Sequence, residues 1–76
     1  MNKKECIIKS VYARRDVDGS IMSIGVWVVD SNSKSEYVYR FDYSLASFQK
    51  VFNKNENNMN TLVGSKVYLN ETLTLN

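Results

Sequence analysis

Ile21-Met22-Ser23-Ile24-Gly25-Val26-Trp27-Val28-Val29-Asp30 and Glu36-Tyr37-Val38-Tyr39-Arg40-Phe41-Asp42-Tyr43 are the two segments whose reading decides the fold. The first is rich in β-branched and aromatic residues, which suit a pleated surface better than a helix. Alternation sets Met22, Ile24, Val26 and Val28 on one face and Ile21, Ser23, Gly25, Trp27 and Val29 on the other. Neither face is polar, which predicts a central strand. The second segment puts Tyr37, Tyr39, Phe41 and Tyr43 on one face and Glu36, Val38, Arg40 and Asp42 on the other. Between them, Asp30-Ser31-Asn32-Ser33-Lys34 carries short polar side chains that make their own turn hydrogen bonds, so the two strands form an antiparallel hairpin.

Upstream, Lys4 to Arg14 reads as another strand, with Cys6, Ile8, Ser10 and Tyr12 on one face and Ile7, Lys9, Val11 and Ala13 on the other. Both faces are mixed, which places it at or near a sheet edge. Asp18-Gly19 marks the turn into the next strand, because glycine accepts positive φ without a Cβ clash. Downstream, the period shifts from two to about 3.6 at Leu45, with Leu45, Phe48, Val51 and Phe52 on one helical face. Ser44 is a fitting N-cap. The helix gives way to Asn53-Lys54-Asn55-Glu56-Asn57-Asn58-Met59-Asn60, a polar run without apolar period that reads as a mobile loop. Lys66 to Leu69 is the next strand, and Asn70-Glu71 turns the chain into a fifth, Thr72 to Leu75. One long strand with a bulge over 66–75 is the alternative.

The order β-β-β-α-β-β defines an α+β fold, a small antiparallel sheet of four to five strands with one short helix packed on one face. The helix buries its apolar face against Met22, Ile24, Val26 and Val28, with Tyr37, Tyr39 and Phe41 beside them. The opposite face then carries Trp27, Val29, Val38, Arg40 and Tyr68.

With 76 residues the chain makes a single domain. A chain this short buries about 60% of its unfolded surface, so marginal stability or help from a partner is expected. The one cysteine, Cys6, excludes an intramolecular disulfide and reads as a small buried hydrophobe rather than a reactive thiol. No apolar run matches a signal-peptide core or a membrane span, which points to a soluble, cytoplasmic protein with no membrane partner.

Catalysis is disfavoured by subtraction. The chain has no histidine, the commonest general base near neutral pH. Asp16 and Asp18 before Gly19 lack the later ligands of a calcium loop and read as turn residues. Gly64 is isolated and reads as a turn or bulge rather than a phosphate cradle. No metal, cofactor or small-molecule substrate is implied.

Two surfaces call for a partner. Trp27 with Val29, Val38, Arg40 and Tyr68 forms an apolar face of the kind that binds protein. The expectation is a non-enzymatic module acting through protein–protein contacts, with a partner or with itself as a homodimer, through the sheet face or an edge strand. Small size and an Asn-rich, Pro-free composition fit a phage or mobile-element accessory or inhibitor protein. The alternative is a small nucleic-acid binder that tracks phosphates with Lys3, Lys4, Lys9, Arg14, Arg15 and Arg40 beside exposed aromatics. Net charge is only +2, and the basic residues gather in the first strand. There they also serve the simpler role of solvating an edge.

Overall fold

Two residues without partners on the neighbouring strand, Lys9 and Met22, govern how the chain folds. A computed structural model describes residues 4–31, 38–69 and 73–74. It contains β1 (Lys4–Arg15), β2 (Ile21–Asp30), β3 (Val38–Tyr43), α1 (Leu45–Phe52), a 3₁₀ turn (Met59–Leu62), β4 (Lys66–Leu69) and β5 (Leu73–Thr74). All pairings are antiparallel, in the order β3-β2-β1-β4-β5. The fold is therefore α+β, a five-stranded antiparallel sheet with one helix packed on it, and β4 and β5 form a hairpin rather than one long strand.

The β1–β2 turn follows from local chemistry. Gly19 sits at φ +89° and its N–H donates to the Asp16 carbonyl, while Asp16 N–H donates to Ser20. This is a type I turn completed by a left-handed glycine, a three-residue connection that suits the twist of a hairpin. The Asp18 carboxylate accepts from Ser20 N–H. The Ser20 hydroxyl first, and then this backbone N–H, hold its pKa below the usual value.

From that turn the register would run evenly, but Arg15 pairs with Ile21 and Arg14 with Ser23, leaving Met22 as an extra residue. Further along, Ser10 pairs with Trp27 and Ile8 with Val28, leaving Lys9 extra on the other strand. The two bulges offset each other, and each reverses the alternation of its own strand. On β1 the core therefore takes Cys6 and Ile8 before the bulge, then Val11 and Ala13 after it. On β2 it takes Ile24, Val26 and Val28, but Ile21 rather than Met22.

Three expectations are corrected here. Strand β1 is not an edge: it lies at the centre of the sheet, and strict alternation makes its faces look mixed only because Lys9 is an extra residue that breaks it. Met22 does not face the helix and is 60% exposed, because its bulge turns Ile21 inward instead. Val51 is also exposed, so the buried face of α1 is narrower than its spacing suggests and rests on Phe48, Phe52 and Leu45.

Helix α1 begins where expected. The Ser44 hydroxyl accepts from Ser47 N–H, a cap contributing about 1 kcal/mol. Asn53 closes it in the left-handed region at φ 55°. The helix packs on β2 and β3, where Phe48, Phe52 and Tyr43 meet edge to face or tilted at 5.0–6.4 Å.

The asparagine-rich run that follows is more than a polar connector. Asn55 and Asn58 tie its backbone through side-chain hydrogen bonds, and the run delivers Met59 and Leu62 to the core over β1. Gly64, at φ +90°, turns the chain so that its N–H reaches the Ile8 carbonyl at 2.8 Å. The helix and the 3₁₀ turn thus cover one face of the sheet, with Cys6, Val67 and Leu73 completing the core.

The Asp30–Lys34 turn beyond Ser31, the aromatic Tyr37, Asn70-Glu71, Thr72 and Leu75 lie outside the described residues. Among the described residues, no helix is long and apolar enough to cross a membrane.

Candidate functional site: the open face of the sheet

The face turned away from α1 is built by pairing. One row runs Val38, Val29, Ile7, Lys66 across β3, β2, β1 and β4. The next rows run Arg40, Trp27, Ser10 and then Asp42, Gly25, Tyr12. On the other side of the first row, Glu5 pairs with Tyr68. Trp27, Val29, Val38 and Arg40 are thus direct neighbours, while Tyr68 stands on the far side of β1 from them. Ile7, Trp27 and Val38 are each 36–37% exposed, a contiguous apolar strip across three strands.

Trp27 is held in place by its neighbour rather than left loose. Its ring meets Tyr12 edge to face at 6.3 Å, and Tyr12 in turn lies over Gly25. Glycine opposite tyrosine lets the ring lie flat on the strand, since a Cβ at Gly25 would stand 2.6 Å from it. The strip is bordered by two ion pairs of mixed sign, Arg40–Asp42 at 3.2 Å and Lys66–Glu5 at 3.8 Å. Both are half-exposed, and such pairs contribute little to folding.

Ile7 and Tyr12 belong to this face and were not singled out from the sequence. Ile7 is visible there as an apolar residue between two buried positions. Tyr12 is not, because counting from the turn without bulges sets it against Ile24 on the covered face. Only the extra residue Met22 moves its partner to Gly25.

The basic residues are distributed differently. Lys3 lies outside the described residues. Lys4 lies at the end of the covered side, where its ammonium donates to the Tyr39 hydroxyl at 2.9 Å and stands 3.9 Å from the Asp30 carboxylate. The Tyr39 hydroxyl is the main cause of its raised pKa. Lys9 is exposed at its bulge, and Arg15 donates to the Gly19 carbonyl at the hairpin tip. Arg14 and Arg40 share the open face with Trp27 and Tyr12, and Arg40 is bound to Asp42. The set is brought together only in part.

Cys6 is fully buried, and burial raises its thiol pKa, which keeps it protonated and unreactive near neutrality. Among the described residues, no group of three or more His, Cys, Asp or Glu could hold a metal. A depression beside the C-terminal end of α1, lined by Gln49, Asn53, Lys54 and Asn55, has about 200 Å³. That is below the usual size of a small-molecule site. Comparison with protein-family models, curated protein sequences and solved structures returns no match to this chain.

Proposed function

We propose that this protein is a non-enzymatic binding module that engages a protein partner through the open face of its sheet. The observation that carries the reading is the apolar strip of Ile7, Trp27, Val29 and Val38 on a face that no described element covers. An aromatic anchor ringed by weak ion pairs has the composition of a binding hot spot: tryptophan, tyrosine and arginine dominate such centres. Tyr12 pre-positions Trp27, so little side-chain freedom remains to be lost on binding.

A photo-crosslinking residue at position 7, at the centre of the face, tests this against the same residue at position 50, on the solvent side of α1. In lysate of the native cell, crosslinked protein should form from position 7 and not from position 50. Trp27→Ala, if it stays folded, should reduce the yield about tenfold or more, the size of a hot-spot loss. Equal crosslinking from both positions, unaffected by Trp27→Ala, would sink the open-face reading.

Arg14 and Arg40 beside Tyr12 and Trp27 favour a second reading, in which single-stranded nucleic acid stacks on this face. Its affinity would fall steeply with salt as counterions are released. Titration of labelled DNA and RNA at low salt, followed by Trp27 fluorescence, decides: no binding there ends it.

A further inference from the structure

Strand β3 is an edge, and among the described residues no strand pairs with its outer side. Natural sheets protect an edge of this length with charged side chains, lysine above all, with proline, a bulge or a very short strand; here the charges on the strand, Arg40 and Asp42, are opposite in sign and pair with each other. The β3 sequence Val38-Tyr39-Arg40-Phe41-Asp42-Tyr43 has neither lysine nor proline, and its register with β2 is unbroken from Val29↔Val38 to Ile24↔Tyr43. The opposite edge, β5, is described over two residues only.

The strand is also complementary to itself. An antiparallel copy related by a two-fold axis at Phe41 sets Phe41 against Phe41, Arg40 against Asp42 and Asp42 against Arg40. Tyr39 then meets Tyr43. Centring the axis on Arg40 or on Asp42 would instead oppose like charges. Within one chain Arg40 and Asp42 already pair at 3.2 Å on the open face, both about half-exposed, so each is free to exchange its partner for the copy's. Phe41, Tyr39 and Tyr43 lie on the covered side and are only partly buried, which leaves aromatic surface at this edge for the copy to bury.

We infer that the partner of this edge is a second copy of the chain, joined by antiparallel β3–β3 pairing centred on Phe41. The two sheets become one ten-stranded sheet with both helices on the same side. Opposite charges and aromatic pairs across antiparallel strands are the side-chain terms that set such a register. The inference rests on the outer edge of β3 rather than on the apolar strip; it shares Arg40 with the open face but does not depend on binding there.

Charge reversal tests the pairing. Light scattering should give the mass of a dimer for the wild type. Arg40→Asp alone and Asp42→Arg alone should each weaken dimerisation about tenfold or more, since two attractive cross-strand pairs become repulsive. An equimolar mixture of the two variants should dimerise again as a heterodimer. So should the double variant Arg40→Asp/Asp42→Arg, because both restore opposite charges in the same register. Trp27→Ala should leave the dimer unchanged, which separates this result from failure of the open-face reading. A monomeric wild type at the highest soluble concentration overturns the proposal. So do single reversals that dimerise like the wild type, or a mixture that stays monomeric.

Discussion

At Gly25 the backbone leaves a gap that the Tyr12 ring fills, and Trp27 stands against that ring. A methyl group at Gly25 would meet Tyr12 Cε1 and Cζ at 2.6 Å, closer than carbon atoms approach, so the ring must move. Gly25→Ala should therefore destabilise the wild type by about 1–3 kcal/mol, the cost of overpacking, and change the fluorescence of Trp27. In a Tyr12→Ala background the same change should be neutral or stabilising by about 0.5–1 kcal/mol, because alanine restricts the unfolded chain more than glycine does. A double-mutant cycle by urea unfolding measures the coupling. Equal costs in both backgrounds would mean that Tyr12 does not occupy the gap. This contact could not be read from composition, since it depends on which residue of β1 faces Gly25, and a single bulge decides that.

At the scale of elements, the bulges mark where the sequence stops being legible. Strands, turn, helix cap and C-terminal hairpin follow from alternation, Asp18-Gly19, Ser44 and the 3.6 period, all local signals. The face of Trp27 opposite the helix also follows, because β2 is regular from Ile24 to Asp30 and most of its partners are bulky. The faces of β1 and the burial of Met59 do not. An extra residue in a strand carries no reliable local signature, and Met59 is buried by where the asparagine run leads it, not by any period. Lys9 itself makes the test. If it is an extra residue, deleting it leaves Ile8 against Val28, Ser10 against Trp27 and Val11 against Val26, each on the face it has now. The deletion variant should fold cooperatively, losing no more than about 1–3 kcal/mol, within the range of ordinary point mutations. Deleting Arg40 from the unbulged β3 should abolish folding, because it throws Phe41 or Tyr39 onto the open face. Thermal unfolding by circular dichroism compares them, and a Lys9 deletion that is unfolded would remove the bulge as an explanation for the β1 pattern.

In the molecule as a whole, among the described residues, a core is buried on one side of the sheet and the other side is left uncovered. The β1–β2 hairpin stretches the molecule to 41 × 23 × 20 Å, and at the tip Val17 is fully exposed. For 76 residues the usual stability is about 4–11 kcal/mol, and a one-sided core puts this chain in the lower part of that range. A partner that binds only the folded form then becomes a large share of the total: at 100 times its Kd it adds about 2.7 kcal/mol. At about 4–8 °C per kcal/mol for a domain of this size, that corresponds to roughly 10–20 °C in Tm. If the β3 edge joins two copies, the Tm of the wild type should climb with protein concentration towards that range, while that of Arg40→Asp should stay nearly flat. Scanning calorimetry over a wide concentration series separates the two. A wild-type Tm that does not move would show a chain that reaches its stability alone, with the aromatic edge of β3 left to solvent rather than to a second copy.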